Sequence, residues 1–257
     1  MATNRIKALS IAPANLKQVR VVEGEKTIKE TCSDYLTDES RYGDAHADRL
    51  FYAKSEADVV AVVKWAQSTK TPLTLSAGRT GLTGGAVPFG GAILTLEPMS
   101  ALLAIGFDEA AKEWYVRAEP GVTLETLNNA VHKKQLNSLQ GKGTPTEQAA
   151  LARFLRDPKS YFLPPDPTEA TSELGGSVAA NGSGARSFRY GAIRPWTRRL
   201  RVVLANGDVL DLRRGAVTTK TGEFLVELAS GSTVKVKAPS YKMPAVKNAA
   251  GLYAKPE

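Results

Sequence analysis

The 257-residue chain is 42% hydrophobic and carries a net charge of +8, which allows one large domain or two small ones with a real core. It contains no apolar run of about 18 residues, the length a transmembrane helix needs. Its first residues also lack the apolar segment of a secretory signal peptide. Cys32 is the single cysteine, which excludes an intrachain disulfide and a cysteine metal site. We therefore expect a soluble, cytoplasmic protein.

Part of the positive charge is concentrated in one stretch of the second half of the chain. Its arginines are Arg186, Arg189, Arg194, Arg198, Arg199, Arg201, Arg213 and Arg214. Such a cluster attracts nucleic acid, an acidic partner or an anionic cofactor, or it forms a solvated basic face. The chain has no zinc-finger spacing and no helix-turn-helix signature, so nucleic acid is the weaker alternative.

The first third of the chain predicts a strand, a helix and a second strand. Residues 1–47 mix charged and apolar residues and are predicted to be an N-terminal arm. Residues 50–53 are a short strand candidate, and Ser55 is positioned to cap a helix with a valine-rich apolar face. Residues 72–76 form the next strand. This order is typical of a βαβ unit and predicts a parallel pair.

A glycine-rich segment follows directly, with the sequence LSAGRTGLTGGAVPFGG from Leu75 to Gly91. Glycine lets a ligand approach the bare backbone, and exposed N–H groups make an anion-binding concavity. A Walker A loop is excluded because no lysine lies between Lys70 and Lys112, and Pro88 breaks any helix that a dinucleotide fingerprint requires. We expect a loop that runs from strand to strand and binds an anion through its amides. The alternative is a tight structural loop.

The middle of the chain alternates strands and helices. We predict a strand over 92–96, paired strands near 105 and 114–118, and a helix opened by Thr123. Residues 137–161 are predicted to be an insert with one short helix near residues 147–155.

The last third predicts two hairpins. The segment RVVLANGDVLDL has Asn206-Gly207 at its centre, the signal of a type I′ turn, and EFLVELASGSTVKVK predicts the second hairpin. Residues 238–257 have no regular pattern and are predicted to be a tail.

Between the insert and the first hairpin lies a second cluster of small residues. Its members are Gly175, Gly176, Asn181, Gly182, Ser183, Gly184 and Gly191. Two small-residue loops in one chain are suited to hold one extended ligand with an anionic middle.

Five motifs, in order, carry a resemblance to a known family: PLTLSAGRTGLTGGAVP, EPGVTLETLNNAV, FLPPDP, LGGSVAANGSGARSFRYG and LRVVLANGDVL. Together they resemble the FAD-binding half of the vanillyl-alcohol-oxidase superfamily. The branch they are most similar to contains the glycolate oxidase flavoprotein subunit and D-lactate dehydrogenases. The resemblance covers about Asp48 to Leu212.

The resemblance implies an α+β, PCMH-type FAD-binding fold of two subdomains within residues 48–237. The first, 48–104, would contain the βαβ unit. The second, 105–237, would hold a mixed or antiparallel sheet flanked by helices.

The resemblance also implies the residues that contact FAD. Those for the pyrophosphate are Ser76, Ala77, Gly78, Arg79, Thr80, Gly84 and Gly85. Those near the flavin and its ribityl chain are Pro165, Asp166, Gly175, Gly176, Asn181, Ser183 and Gly184. Val203 would lie on the adenine side.

Three departures from the family pattern bear on the expected function. The insert 137–161 is longer than the family pattern implies, and we expect it to cover part of the cofactor. Members that bind flavin covalently often have a histidine in the first loop. Here Arg79 stands in that loop, and the histidines are His46 and His132, so noncovalent FAD is implied. Family members also continue into a substrate-binding cap domain, which we expect to be absent from this chain.

The function implied is the FAD-binding domain of an oxidase or dehydrogenase that passes a hydride from a 2-hydroxy acid to flavin N5. No catalytic residue is assigned, and we expect little activity from this chain without a cap domain or a partner subunit. The alternatives are a noncatalytic module or subunit with the same fold, and an enzyme like the NADPH-dependent enolpyruvyl-sugar reductase.

Overall fold

The computed structural model describes residues 16–165, 168–219 and 221–239. Within these ranges the chain forms one four-stranded sheet and three two-stranded antiparallel ladders. The strands are β1 Arg20–Glu23, β2 Arg49–Tyr52, β3 Leu73–Ser76, β4 Ala92–Thr95, β5 Leu102–Asp108, β6 Glu113–Ala118, β7 Arg199–Val203, β8 Val209–Arg213, β9 Glu223–Glu227 and β10 Thr233–Lys237. The helices are α1 Glu25–Thr31, α2 Glu56–Thr69, α3 Leu124–His132, α4 Pro145–Arg156, α5 Leu174–Ala179 and α6 Ser187–Tyr190.

The four-stranded sheet has the order β1-β2-β4-β3. Strands β2 and β3 are parallel, as the βαβ pattern predicts, but both pair with β4, which lies between them. All four residues of β4 are buried, and an interior position covers such a strand best. Strand β1 pairs antiparallel with β2, although it comes from the segment predicted to be an arm. The predicted domain boundaries stay predictions.

Helix α2 covers one face of this sheet. It begins where Ser55 predicts it, because the Ser55 hydroxyl accepts a hydrogen bond from the Asp58 N–H at 3.2 Å. Val62 of the helix is fully buried against Phe51 and Leu94. Burying side chains of this size stabilises the fold by about 1.5–3 kcal/mol each. The glycine loop that follows β3 therefore begins at a sheet that is packed against α2.

A second core lies under the β5–β6 ladder. Helix α3 and helix α4 supply it, and Phe154 of α4 is fully buried there with Ile105 and Leu127. Thr144 and Glu147 form a capping box at the start of α4. The predicted insert 137–161 therefore packs against β5 and is part of this core.

The β7–β8 hairpin has a different turn from the predicted one. The Leu204 N–H donates to the Asp208 carbonyl at 2.8 Å, and Gly207 has a φ of 76° while Asn206 does not have a positive φ. A type I′ turn needs positive φ at both central residues, so this prediction is wrong. The loop is one residue longer, and only Gly207 must be left-handed. The second predicted hairpin, β9–β10, is confirmed.

Candidate functional site

The glycine loop, residues 77–91, leaves the carboxyl end of β3 and returns to the start of β4. Its far end is fixed by two bonds to His46, whose N–H donates to the Pro88 carbonyl at 3.0 Å and whose carbonyl accepts from the Gly90 N–H at 2.8 Å. The prediction of a strand-to-strand loop is confirmed. The loop therefore lies at the edge where α/β sheets place ligands.

A continuous run of backbone N–H groups in this loop has no hydrogen-bond partner in the described part of the chain. From Ala77 to Ala86, no backbone N–H donates a hydrogen bond to any residue that the structure describes. Backbone donors left unpaired in a folded protein are satisfied by water or by a ligand. Consecutive unpaired N–H groups form the concavity that suits an anion.

The second cluster packs directly against this loop. The Thr80 hydroxyl is 2.8 Å from the Ser172 hydroxyl, although 92 residues separate them in the chain. A Cβ at Gly78 would lie 3.1 Å from the Thr171 carbonyl oxygen, and a Cβ at Gly176 would lie 3.2 Å from the Ala77 Cβ. The structure thus brings the two clusters together, as an extended ligand spanning both would require.

Gly84 and Gly85, which are also predicted to contact the pyrophosphate, have different surroundings. Gly84 has a φ of 75°, and a Cβ there would lie 2.5 Å from the Tyr42 ring. Apart from its two chain neighbours, no residue that the structure describes has an atom within 4 Å of the Gly85 Cβ position, so the outer face of Gly85 is open. Gly84 is therefore needed by the fold, whereas Gly85 leaves space that a ligand can enter.

Arg79 is turned toward the protein. Its guanidinium donates to the Ala77 carbonyl at 2.8 Å, pairs with Glu97 Oε1 at 2.6 Å and stacks 4.4 Å above the Tyr35 ring. The Tyr35 hydroxyl donates to Glu97, and burial, together with that bond, raises the pKa of Tyr35. Arg79, which also lies 3.3 Å from the Ser76 hydroxyl, fastens the start of the loop to the segment after β4.

Glu173 is a functional candidate that the sequence reasoning missed. Its side chain is buried, with 6% of the residue exposed, and its Oε2 has no hydrogen-bond partner among the described residues. Burial first, and the Glu97 carboxylate second, raise the pKa of Glu173 to about 7, while Arg79 acts in the opposite direction. The one signal in the sequence is its position as a charged residue directly before Leu174 and the glycine pair.

Asp38 is a second buried acid beside the loop. It is 5% exposed, its Oδ1 accepts from the Ser40 N–H at 2.9 Å, and its Oδ2 has no partner among the described residues. A Cβ at Gly81 would lie 4.0 Å from that Oδ2. Acidic groups therefore flank a loop whose amides favour anions.

The N–H groups of the second cluster are used mainly within the protein. Those of Gly175, Gly182 and Gly184 donate to Pro120, Ser177 and Ser187 at 2.8, 2.7 and 2.7 Å. These glycines hold a tight turn around α5, and their predicted contacts with FAD stay predictions.

The other predicted contacts lie further along the chain. Asn181 has a φ of 50°, and its Oδ1 accepts from the Arg194 N–H at 3.3 Å. Ser183 is half-buried and Pro165 is buried, while Asp166 lies outside the described residues. Val203 ends β7 and pairs with Val209 in the hairpin that contacts α2.

Four of the eight arginines in the cluster, Arg198, Arg199, Arg201 and Arg213, pair with carboxylates away from the glycine loop. Arg199 and Arg201 pair with Asp211 at 2.7 and 3.0 Å, Arg201 also pairs with Glu56, and Arg213 pairs with Asp108 at 3.0 Å. These pairs fix the β7–β8 hairpin to its neighbours. No helix in the described part of the chain has the length and apolar character to cross a membrane.

Comparison with known families identifies the class of protein to which this fold and loop belong. Residues 47–147 and 141–213 match the family described as the FAD binding domain, and the chain belongs to this family. It is thus an FAD-binding, PCMH-type domain of the FAD-linked oxidoreductases, which confirms the resemblance seen in the sequence.

Individual relatives are longer than this chain. The chain is 33% identical over 215 residues to the D-lactate dehydrogenase of Anaerostipes hadrus, covering 83% of this chain and 38% of that protein. It is 31% identical over 179 residues to the D-2-hydroxyglutarate dehydrogenase of Xanthomonas citri pv. viticola, covering 69% of this chain and 32% of that protein. The chain therefore spans about a third of the length of these relatives.

Solved structures confirm the α+β fold class. The 6-hydroxy-D-nicotine oxidase of Arthrobacter nicotinovorans superposes with a TM-score of 0.54 at 18% identity, over 80% of this chain and 38% of that one. Physcomitrella patens BBE-like 1 gives a TM-score of 0.52 at 18% identity, over 79% of this chain and 38% of that one. At 18% identity these superpositions show that the folds are similar and nothing more.

Proposed function

We propose that this chain binds FAD noncovalently and forms the flavin-binding part of a dehydrogenase or oxidase that acts on a 2-hydroxy acid. The observation that carries the proposal is the run of unpaired N–H groups from Ala77 to Ala86 beside the segment Thr171–Ser177. Membership of the FAD binding domain family supports the same cofactor.

The loop fits the central pyrophosphate of FAD. Its donors are backbone amides, its open position at Gly85 admits a bulky group, and its neighbour Ser172 adds a hydroxyl beside Thr80. The second cluster lies next to it, where an extended dinucleotide would continue. When bound, the flavin supplies the hydride-accepting chemistry, and the residues of this chain bind it, orient it and shield it from water.

The surroundings of the two histidines support noncovalent binding. His46 Nδ1 lies 3.2 Å from the Asp44 carbonyl oxygen at the far end of the loop, and His132 Nδ1 is 2.8 Å from the Ser160 hydroxyl beside α3. Neither histidine belongs to the two small-residue clusters in which we expect the flavin to lie.

The substrate class rests on the relatives. Their names refer to D-lactate and D-2-hydroxyglutarate, both 2-hydroxy acids, and the match covers 38% and 32% of their lengths. We propose that polypeptide beyond these 257 residues, in the same chain or in a partner subunit, completes the substrate pocket. No catalytic base is assigned, and the cytoplasmic location stays a prediction.

The test is a comparison of flavin ligands on the purified chain. We expect FAD to bind at least about tenfold more tightly than riboflavin, because only FAD offers a pyrophosphate to the loop; such a ratio corresponds to about 1.4 kcal/mol. Quenching of flavin fluorescence measures both affinities. Equal affinities, or no binding of FAD, would contradict the proposal.

A further inference from the structure

Glu173 forms part of the wall of the anion site. Its backbone N lies 3.3 Å and its Cγ 3.7 Å from the Cβ position of Gly78, within the run of unpaired loop amides. The neighbouring residue, Ser172, bonds to Thr80 of the same loop. An anion held by these amides would therefore lie close to a buried carboxyl group that has an unpartnered oxygen.

The charged groups around Glu173 do not neutralise it. Glu97, from the segment after β4, raises the pKa of Glu173, and Arg79 of the glycine loop lowers it. Arg79 is already paired with Glu97 at 2.6 Å, and Tyr35 contacts both of those side chains. The other packed segments, Pro120–Thr123 and α5, have no ionisable side chain, and Asp38 approaches the loop at Gly81.

We propose that the Glu173 carboxyl takes up one proton when the pyrophosphate of FAD binds to the glycine loop, so that FAD affinity falls as the pH rises. This inference rests on the proposed function. A second negative charge beside a buried carboxylate disfavours its ionised form, so the proton and the dinucleotide bind together. Linkage makes the effect reciprocal.

The direction of the pH dependence follows from the free protein. With the pKa of Glu173 near 7, the group is already protonated at pH 6, and FAD binds there without proton uptake. Above pH 7 each molecule of FAD must bring in a proton, and its affinity falls by up to about tenfold per pH unit. FAD itself has no group that titrates near neutrality.

The experiment is a set of FAD titrations by fluorescence quenching between pH 6 and 9 at constant ionic strength. The wild-type chain should show a flat profile below pH 7 and a falling one above it. In Glu173→Gln the fall should disappear, so that at pH 9 the variant binds FAD more tightly by up to about a hundredfold. A flat wild-type profile, or an unchanged slope in Glu173→Gln, overturns the inference.

His46 is the control, because its imidazole also lies beside the glycine loop, 3.6 Å from the Cβ position of Gly90. His46→Gln keeps the backbone bonds to the loop and should retain the slope, and loss of the slope in this variant overturns the inference. If Glu173→Gln does not fold, calorimetry of the wild-type chain in buffers of different ionisation enthalpy replaces it. Uptake of nearly one proton at pH 8 is expected, and no uptake overturns the inference.

The two proposals fail in different ways. FAD binding with a flat pH profile overturns the role of Glu173 alone. Absence of FAD binding at every pH overturns the proposed function and, with it, this inference.

Discussion

Replacement of the buried Glu173 by glutamine should stabilise the protein at alkaline pH. The pKa of Glu173 rises from its ordinary value of 4.5 to about 7 on folding, mainly through burial and then through Glu97. A raised pKa means that the folded state binds the proton more tightly, so the stability that Glu173 contributes is fully present below pH 4.5 and is lost as the pH rises through 7. The difference of about 2.5 units corresponds to about 3 kcal/mol at pH 8. Urea denaturation of both proteins at pH 5 and pH 8 measures it.

Glu147 provides a matched control of opposite sign. Although burial acts to raise it, the Thr144 N–H and the Arg117 guanidinium lower the pKa of Glu147. Its contribution is present above its ordinary pKa and is lost as the pH falls, so Glu147→Gln should destabilise the chain more at pH 8 than at pH 3. Equal effects of Glu173→Gln at pH 5 and pH 8 would refute the reasoning for Glu173.

Three further outcomes follow from the glycine loop and its neighbours. Gly85→Val should lower FAD affinity by more than about a hundredfold, or about 2.7 kcal/mol. Little stability should be lost, because no described residue other than the chain neighbours has an atom within 4 Å of that Cβ position. Gly43→Val, at an equally open position, is the control, and unchanged FAD affinity in Gly85→Val would contradict the site. Acid precipitation should release all bound flavin, and a flavin-sized mass increment on the protein would show a covalent bond instead. The FAD-loaded chain mixed anaerobically with D-lactate or glycolate should keep its oxidised flavin band for much longer than about a second, because we propose that polypeptide beyond these 257 residues completes the substrate pocket. Rapid bleaching would show that the chain holds a full active site.

The parts of the fold that the sequence predicts well are those with local signals. Ser55, followed by a valine-rich helical face, defines α2, and the density of glycine after β3 marks the loop. The order of the strands could not be predicted from local signals. It depends on the tertiary packing that buries all four residues of β4 and places this strand between β2 and β3. Asn206-Gly207 likewise marks a turn, but the length of the loop decides its type.

Glu173 shows why the candidate site was only partly predictable. Its burial results from the packing of Gly78 and Thr80 against Thr171 and Ser172, residues more than 90 positions apart. The sequence places a charged residue beside glycines, but only the folded chain removes it from water and sets Glu97 beside it. A buried carboxylate without a hydrogen-bond partner therefore arises from tertiary contacts, and no local sequence pattern predicts it.

The arginine cluster allows two hypotheses for FAD binding to be compared: binding of the pyrophosphate by the amides of the glycine loop, and binding by arginine side chains. In the sequence, eight nearby arginines were candidates for binding an anionic cofactor, but Arg201 pairs with Glu56 and with Asp211 at 3.0 Å and so joins the β7–β8 hairpin to α2. Its side chain is 38% exposed, and exposed pairs contribute only about 0.2–1 kcal/mol. Arg201→Gln removes both pairs and should therefore lower the free energy of unfolding by less than about 2 kcal/mol.

FAD affinity should stay within about twofold in Arg201→Gln, a change of about 0.4 kcal/mol, because the loop amides hold the pyrophosphate. Urea denaturation and flavin fluorescence, measured on the same preparations, separate the two effects. A tenfold loss of FAD affinity with unchanged stability would mean that Arg201 contacts the cofactor, and that the run of amides from Ala77 to Ala86 does not hold the pyrophosphate alone.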